Sequence, residues 1–486
     1  MQKTTTTGSA HVLRHRESHA ESLYAVAFNQ VDASLASTFA TVGANRVTVY
    51  SIQPGSEAPP QKAGGGGSNA SSSGKRGREE VNTACSLVTL QAYCDEDEGE
   101  CFYCCAWGLQ LQDAELSSSA ATPSDGSGEN VNCGEAPGDV SHASSDVRSV
   151  LAVGGTRGHI KVIDCCDGCV RAWLQGHCGA INELRFHPMH RALLLSCSAD
   201  ESCRLWHVGS RECLATFGGD GGHRDAVVSL DVRLDGSSFA SCSIDGTVKV
   251  WPLETPAILQ RIEASKCTNG GVGEPKGAGA GIMPAHAMPP AVVQIPTATY
   301  DRVHYEPASQ LSYWIDCVRC IGDRRLLTRG SDGRAMLWEP SDVSEEVPGD
   351  SAVTHASRQA GKYANVKDAP NVLREFRIKD TAGIWYLRFH LDLPRRRMAI
   401  GNTCGEVLVW DLDGNMATSS ASKIASVAPV ASLKVGEPAV GKKAKQSKTA
   451  AQQNAITIRS TALSHDGRYV VSGCDDGSIV IWDLGA

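Results

Sequence analysis

The sequence predicts an all-β fold made of seven copies of one short repeat. Two copies are plain: residues 176–208 and 222–253 align from a Gly-His pair through to a tryptophan, and their closing residues Trp206 and Trp251 are 45 positions apart. In each copy, short β-branched and apolar runs alternate with Gly, Asp and Asn turns, which indicates successive antiparallel strands. Seven copies of about 45 residues account for roughly 315 of the 486 residues. The surplus is therefore predicted to be loop insertion rather than further domains.

The other five copies are recognised by how they end. Three are complete and two are degenerate: GSDGRAMLW ends at Trp338, GNTCGEVLVW at Trp410, GCDDGSIVIW at Trp482, VGANRVTVY at Tyr50 and VGGTRGHIKVI at Ile163. In four copies an aspartate lies six positions before the tryptophan, at Asp200, Asp245, Asp332 and Asp476. This period and signature resemble the WD40 family, which implies a seven-bladed β-propeller with four-stranded blades around a central channel. The repeats would then end near residues 50, 163, 206, 251, 338, 410 and 482.

We predict a single propeller over residues 10–486. The last copy stops at its third strand, IVIWDL, so its missing outer strand is expected to come from the segment Ala10 to His15, which leaves no open sheet edge. Low-complexity stretches, many of them rich in Gly and Ser, indicate flexible insertions. Such insertions are tolerated because loop-closure entropy rises only logarithmically with length. The predicted insertions are residues 54–84, 112–147, 264–299, 341–368 and 414–453.

The charge balance bears on the kind of partner. Lys and Arg number 46 against 54 Asp and Glu, which is a net charge of −8. This balance argues against a protein that clamps nucleic-acid phosphates or an anionic membrane, and it favours a basic partner. No apolar leader and no run of about 18 apolar residues occurs, so no membrane location is predicted. Basic clusters at residues 75–78 and 442–445 are either nuclear-import signals or solvated charge runs.

The 19 cysteines are expected to be reduced, in the cytosol or the nucleus. C-x-x-C spacings occur at residues 101/104, 166/169 and 317/320, but none is followed by a second pair at zinc-site spacing. The last pair also lies in a strand-like run, where residues three apart point to opposite faces. We therefore expect packing cysteines, with no metal and no cofactor.

Two sets of residues have the composition of a hydrolase triad. They are His177, Ser196 and Asp200 in one repeat and His223, Ser241 and Asp245 in the next. Because the sets recur at matching offsets, the favoured interpretation is structural: with Trp206 and Trp251 they would hydrogen-bond within each blade. No nucleophile-elbow, phosphate-loop, dinucleotide-binding or zinc-protease motif supports an enzyme, so we expect a non-catalytic protein.

Aligning the first strand of every repeat identifies a candidate binding site. The residues four positions before the apolar end of that strand are Tyr24, Tyr103, Asn182, Val228, Asp316, Trp385 and Arg459. First strands line the channel of a propeller, so these positions are expected to form a ring at one mouth. Three of the seven are aromatic, and Tyr386 is adjacent, although aromatics make up only 6% of the chain. Converging aromatic faces attract a large, weakly hydrated cation such as methyl-lysine; the alternative is that the rings only pad the channel.

A closer resemblance rests on the order of whole segments. LYAVAFN, FYCCAW, GHCGAINELRFHP, FGGDGGHRDAVVSLD, YWIDCVRCIGD and IWYLRF follow one another as in the extra sex combs (EED) family of Polycomb proteins. The resemblance covers all seven repeats and fails in the insertions. It implies a nuclear, non-catalytic subunit of Polycomb repressive complex 2 that holds the SET-domain histone methyltransferase and other subunits of the complex.

The resemblance also implies how the site is used. The family cages the trimethylated lysine of the histone H3 tail with four aromatics, which match Tyr24, Tyr103, Trp385 and Tyr386; the first is usually Phe in relatives. Supporting pocket positions match Asn182, Asp316, Arg388 and Arg459, and Asp316 and Asp475 are candidates to pair with an arginine of the tail. The occupied cage would stimulate the methyltransferase allosterically, and a helix of that partner would bind the opposite face. No sequence-specific DNA binding is expected, and the alternative function is a generic WD40 adaptor in a ubiquitin ligase or signalling complex.

Overall fold

The structure, a computed structural model, describes residues 11–54, 85–111, 147–266, 290–301, 303–306, 308–339, 370–381, 383–413, 427–435 and 456–484. Within these residues, seven sheets of at least four strands form the blades of a β-propeller. The innermost strands of neighbouring blades contact one another around a central channel. The predicted all-β, seven-bladed fold is therefore confirmed.

The strands of the first four blades follow the chain outward from the channel. β1 is His11–Arg16 and belongs to the last blade. Blade one contains β2 (Ala25–Phe28), β3 (Thr38–Gly43), β4 (Arg46–Pro54) and β5 (Cys85–Cys94). Blade two contains β6 (Phe102–Leu111), β7 (Val147–Gly155), β8 (Ile160–Asp164) and β9 (Val170–Leu174). Blade three contains β10 (Ile181–Phe186), β11 (Leu193–Ser198), β12 (Cys203–His207) and β13 (Glu212–Phe217). Blade four begins with β14 (Val227–Val232), β15 (Ser238–Ser243) and β16 (Val248–Pro252), which helix α1 (Pro256–Lys266) follows.

The second half of the chain completes the ring. β17 (Ala291–Val293) joins blade three, β18 (Ala298–Tyr300) completes blade four, and β19 (Tyr305–Glu306) and β20 (Leu311–Ser312) form a separate hairpin. Blade five contains β21 (Ile315–Ile321), β22 (Arg325–Gly330), β23 (Arg334–Glu339) and β24 (Asn371–Arg377). Blade six contains β25 (Phe389–Asp392), β26 (Arg397–Gly401), β27 (Glu406–Asp411) and β28 (Ala431–Lys434). Blade seven contains β29 (Ile458–Leu463), β30 (Tyr469–Cys474) and β31 (Ser478–Asp483).

The ring is closed by its first strand. β1 pairs antiparallel with β31, with His15 opposite Ile479 and Arg16 opposite Ser478. Arg14 adds an ion pair across this junction, 2.8 Å from Asp476. The predicted source of the outer strand of blade seven is thereby confirmed. The closure leaves the two ends of the described chain side by side in one sheet.

Two of the predicted insertions contain strands that the sequence did not predict. Residues 264–299 include the end of α1, all of β17 and the start of β18, and residues 414–453 include β28. The repeat search depends on the closing tryptophan, so a short outer strand that follows a low-complexity stretch has no signal of its own. β17 is also unusual because it adds to the edge of β13 in parallel. The basic clusters at residues 75–78 and 442–445 lie outside the described residues.

The hydrophobic core lies between neighbouring blades rather than in one centre. A typical cluster joins Leu205 and Phe217 of blade three to Leu230 and Phe239 of blade four. The five closing tryptophans are among the largest fully buried side chains, for example Trp206 and Trp482 at 1% exposure each. Middle strands covered by blades on both sides are buried along their whole length, as in Leu193–Ser198. Because both faces of these strands are buried, their sequences are largely apolar runs.

Candidate functional site

Four aromatic rings meet at one mouth of the channel. The ring centroids of Tyr24 and Tyr103 are 4.9 Å apart, those of Tyr103 and Trp385 5.9 Å, those of Trp385 and Tyr386 5.0 Å, and those of Tyr24 and Tyr386 5.7 Å. The four rings therefore form a closed circuit of edge-on and tilted contacts. Trp385 is 37% exposed, whereas Tyr386 is 1% exposed. The cluster consequently has an open side formed by Trp385 and a floor formed by Tyr386.

A β-bulge explains how the aligned first-strand positions are aimed. In five innermost strands the pairing register skips one residue, and the skipped residues are Tyr103, Asn182, Val228, Asp316 and Arg459. These are the same positions that the repeat alignment picks out in those blades. A bulge leaves one residue unpaired and redirects its side chain. In blades one and six the equivalent residues precede the strand: Tyr24 is the residue before β2, and Trp385 lies four residues before β25.

The floor residue Tyr386 is held rigidly in an unusual backbone conformation. Its φ angle is 59°, in the left-handed region that bulky residues rarely adopt. Its hydroxyl lies 2.5 Å from the carbonyl oxygen of Tyr103 and 2.8 Å from that of Asn182, so it ties blade six to blades two and three. The guanidinium of Arg388 lies 4.3 Å from the centre of its ring. Strain of this kind persists only where surrounding contacts over-determine the conformation.

Three of the predicted supporting positions of the pocket are buried. Asp316 is fully buried, and Asn182 and Arg388 are 3% and 7% exposed. Asn182 donates its side-chain amide to the carbonyl of Val227 at 2.8 Å, and Arg388 donates to Glu183 at 3.1 Å. In this structure all three lie beneath the surface, under the aromatic rings. Their predicted role as supporting positions of the pocket stays a prediction.

The burial of Asp316 has a specific cause. Arg329 pairs with its carboxylate and also donates to the carbonyls of Thr381, at 2.6 Å, and Ile384, at 3.1 Å. The segment that leads to Trp385 therefore folds over blade five and covers Asp316. Burial raises the pKa of Asp316 although Arg329 and Arg388 oppose the effect. In this structure the carboxylate of Asp316 is paired with Arg329 and is not open to a ligand.

Arg459 and Asp475 lie at the rim as a pair. The guanidinium of Arg459 donates to Asp475 at 2.6 and 3.1 Å, and its third contact is the carbonyl of Trp385 at 2.6 Å. Both side chains are partly exposed, at 21% and 29%. Arg459 thus positions the backbone of Trp385, and Asp475 is already occupied by a cation. Ion pairs between partly exposed side chains contribute only about 0 to 1 kcal/mol to stability. Asp475 can therefore exchange Arg459 for another cation at little cost in free energy.

The connection that leads to Tyr103 is acidic. The connection between β5 and β6 presents Glu96, Asp97 and Glu98 to solvent, and Asp97 is engaged by Arg157 at 2.7 Å. Burial, with smaller contributions from neighbouring groups that include Glu100, raises the pKa of Tyr103 to about 12. Burial likewise raises the pKa of Tyr24. Both phenols are therefore neutral at physiological pH, and the negative potential comes from the carboxylates.

The His, Ser, Asp and Trp sets form hydrogen-bonded chains inside blades three and four. In blade three, Trp206 donates to Ser196 Oγ at 2.8 Å, Ser196 lies 2.8 Å from His177 Nε2, and His177 Nδ1 lies 2.7 Å from Asp200. The corresponding distances for Trp251, Ser241, His223 and Asp245 are 2.9, 2.7 and 3.1 Å. Both serines are fully buried, so no substrate can reach them. The triad resemblance therefore reflects blade structure.

Some residues were not found from the sequence. A third chain of the same kind links Trp338, Thr328, His304 and Asp332 in blade five, but Thr replaces Ser and no Gly-His pair marks it. Glu183 and Arg329, which support the site, were also missed. One feature of the sequence could have indicated both residues: each is an ionisable residue in a largely apolar strand, Glu183 in an innermost strand and Arg329 in a second strand.

Among the residues that the structure describes, neither a cluster of metal ligands nor a membrane-spanning helix is found. No three His, Cys, Asp or Glu side chains are grouped there as metal ligands, and the cysteines that it describes are free thiols. No helix in the described ranges has the length and apolarity needed to span a membrane.

Comparisons with known proteins agree with the fold. The family model of the WD domain, G-beta repeat, matches residues 167–207, 211–252 and 446–483. The chain is 28% identical to Polycomb group protein FIE1 of Oryza sativa subsp. japonica over 95% of its length and 88% of the relative's. It is 26% identical to Polycomb protein esc of Drosophila melanogaster over 96% of its length and 82% of the relative's. A chain of a humanized mutant of the Chaetomium thermophilum Polycomb Repressive Complex 2 superposes with a TM-score of 0.62 at 14% identity, with 99% of this chain and 98% of that chain covered. By sequence and by fold, the chain is a seven-bladed WD40 propeller and a homologue of the extra sex combs family of Polycomb proteins.

Proposed function

We propose that the protein is a non-catalytic subunit of a nuclear Polycomb repressive complex and reads the trimethylated lysine of the histone H3 tail. The observation that carries the proposal is the closed circuit of Tyr24, Tyr103, Trp385 and Tyr386 at one mouth of the channel. The homology to Polycomb proteins supplies the chromatin context. The SET-domain histone methyltransferase and the other subunits of that complex are the proposed partners.

The chemistry of the rings suits a trimethylammonium group. Aromatic faces attract a cation within about 6 Å of the ring centroid. An unmodified ammonium is strongly hydrated and needs hydrogen-bond acceptors when it leaves water, whereas a trimethylammonium has no N–H group to satisfy. The contacts between the rings leave little space between them, so entry of the cation requires one ring to turn aside. Trp385 is the exposed ring and is the candidate for this movement.

The charge around the rings suits a basic tail. The chain has a net charge of −8, and Glu96 and Glu98 are exposed in the connection that leads into β6 and Tyr103. Asp475 is available to a tail arginine only by exchange with Arg459. Complementary charge of this kind raises the association rate and weakens with added salt.

The test is a titration with histone H3 peptides that differ only in methylation. We expect the trimethylated peptide to bind at least about tenfold more tightly than its unmodified twin. Trp385→Ala and Tyr103→Ala are expected to abolish the difference. Trp385→Leu keeps the apolar bulk but removes the π-face, so it is also expected to abolish the difference; a variant that still discriminates would mean that apolar contact, and not the aromatic face, selects the methyl groups.

Trp173→Ala is the matched control, because Trp173 is 48% exposed on β9, away from the four rings. Each variant is compared with the wild type by calorimetry to establish that it is folded. Equal affinity of the wild type for both peptides would contradict the proposal and favour a generic WD40 adaptor.

Allosteric stimulation is a separate part of the proposal. A mark that favours the active arrangement of the methyltransferase must itself bind more tightly to the active assembly, because coupling between binding sites is reciprocal. Methyltransferase activity of the purified complex is measured with and without the trimethylated peptide. Stimulation is expected with the wild-type subunit and not with Tyr103→Ala. Purification that recovers no methyltransferase would contradict the assembly itself.

A further inference from the structure

A second cavity lies in the channel beneath the four aromatic rings. Its volume is about 520 Å³, within the range of small-molecule sites. Tyr386 and Arg388 line it from above, so the floor of the aromatic cluster is the roof of this cavity. Its other walls include Phe28, Trp107 and Phe389, and the lining continues to Gln30, His187 and Leu393, which follow the innermost strands β2, β10 and β25. The cavity is therefore reached from the mouth opposite the aromatic rings.

The walls of this cavity carry more positive than negative charge. Four arginines and two carboxylates line it. Glu183 is surrounded by Arg185 at 2.6 Å, Arg319 at 2.8 Å and Arg388 at 3.1 Å, and Arg185 also reaches Asp231 at 3.2 Å. Arg191 is exposed and has no carboxylate within ion-pair distance in the described part of the chain.

The histidines of the cavity do not change this balance. Burial, followed by the charges of Arg319 and Arg185, lowers the pKa of His390 to about 3. Burial also lowers the pKa of His187. Both rings are therefore neutral at physiological pH. The arginines remain charged, and the excess of two positive charges persists.

An excess of positive charge in a partly buried cavity is unfavourable unless an anion neutralises it. Guanidinium groups match the planar geometry of a carboxylate and bind it with two parallel hydrogen bonds. The aromatic walls favour an apolar body on the same molecule. We propose that this cavity binds a small organic carboxylate, with its charged end at Arg191 and its apolar body against Trp107 and Phe389. Arg191 is exposed, whereas Arg185 already contacts Glu183, Asp231 and the carbonyl of Leu184, and Arg319 and Arg388 lie deeper.

The test compares an acid with an uncharged molecule of the same shape. The full chain is titrated with 2-naphthoate and with 2-naphthalenemethanol by isothermal calorimetry. The carboxylate is expected to bind at one site and at least about tenfold more tightly than the alcohol. Arg191→Gln is expected to weaken carboxylate binding at least about fivefold without disturbing folding, because Arg191 is exposed. Arg377→Gln is the matched control, since Arg377 is 74% exposed on β24 at the outer edge of blade five.

Four results would overturn the inference: no saturable binding of 2-naphthoate, equal affinity for acid and alcohol, undiminished binding to Arg191→Gln, or equal loss in Arg191→Gln and Arg377→Gln. Tyr103→Ala distinguishes this cavity from the aromatic rings above it. This variant is expected to lose peptide discrimination but to keep carboxylate binding. Loss of carboxylate binding in Tyr103→Ala would mean that the cavity is not a separate site.

Discussion

At the scale of single residues, Tyr386 has two structural roles. Its ring belongs to the aromatic cluster, and its hydroxyl bonds to main-chain carbonyls of blades two and three beneath that cluster. Its left-handed φ of 59° lets Trp385 and Tyr386, neighbours in sequence, both face the same cluster. A strained residue at this point is consistent with a functional constraint.

Replacement of Tyr386 by Phe tests the structural role. The ring is kept, but the carbonyl of Tyr103 loses its contact with the hydroxyl, while the carbonyl of Asn182 still accepts from Arg388 at 3.0 Å. We expect a loss of stability of about 1 to 2 kcal/mol, because a buried acceptor is left without a partner. The measurement is differential scanning calorimetry of both proteins. An unchanged unfolding temperature would mean that water or backbone adjustment replaces the hydroxyl.

Two buried carboxylates show that burial alone does not decide ionisation. Burial by itself would raise the pKa of Glu183, but Arg185, Arg319, Arg388 and the hydroxyl of Ser229 lower it to about 2. Asp316 is equally buried, and its pKa is raised. Glu183 is contacted directly by three guanidinium groups, whereas Asp316 has one such contact, from Arg329. The number of cations in contact therefore decides the sign of the shift.

At the scale of the blade, the hydrogen-bonded chains impose one protonation state on their histidines. Ser196 accepts a hydrogen bond from Trp206, so its own hydrogen points to His177 Nε2. That nitrogen must then be unprotonated, and Nδ1 carries the proton that is donated to Asp200. Burial lowers the pKa of His177 and of His223, although Asp200 and Asp245 oppose the effect. Blades three and four therefore each contain a buried, neutral histidine.

This arrangement predicts a loss of stability in mild acid. A histidine with a lowered pKa in the folded state binds its proton only after unfolding, so stability is constant above about pH 6.5 and falls as the pH drops below it. Asp200 and Asp245, whose pKa values are also lowered, add a further loss only below about pH 4. Unfolding temperatures measured between pH 7.5 and 4.5 are expected to fall steadily below pH 6.5.

The double variant His177→Gln/His223→Gln identifies the groups responsible. It is expected to be less stable at pH 7 and to take up fewer protons on unfolding at pH 5, by at most about two. His465→Gln is the control, because His465 is exposed. The same proton uptake in the double variant and the wild type would assign the acid sensitivity to other groups.

At the scale of the whole molecule, the propeller depends on a junction between its two ends. β1 supplies the outer strand of blade seven, where Arg14 contacts Asp476 and Ser478. Among the described residues of blade seven no histidine belongs to such a chain, and the Nε1 of Trp482 and the Oγ of Ser472 are buried with no partner in the described part of the chain. The described part of this blade therefore has fewer internal hydrogen bonds of this kind than blade three, and β1 forms its outer edge.

Truncation tests this dependence. Deletion of residues 1–16 is expected to lower the unfolding temperature by several degrees and to increase aggregation, because an unpaired edge of β31 is then exposed. Deletion of residues 1–10 leaves β1 intact and is the control. If both truncated proteins unfold at the same temperature, β1 does not contribute to closure.

The 45-residue repeat determined much of the architecture by itself. The spacing of the repeats and their turn residues follow from strand pairing within each blade. The number of blades and the source of the closing strand could therefore be predicted from them. The alignment also brought Tyr24, Tyr103 and Trp385 to one height, because equivalent residues of a repeat occupy equivalent places. The outer strands β18 and β28 could not be predicted, since they follow low-complexity stretches and carry no tryptophan.

Burial and contact at the site were decided only by the tertiary structure. Asn182, Asp316 and Arg388 occupy the aligned height or lie next to it, but they lie beneath the surface because the segment before Trp385 packs across blade five and Tyr386 reaches blades two and three. The register of a bulge and the charge excess of the second cavity likewise depend on residues from different blades. The sequence determined the repeat and the ring of positions, because these follow from local periodicity. The depth of the site residues, the charge of the cavity beneath them and the access to both depend on packing between distant parts of the chain. A periodic sequence pattern carries no information about such contacts.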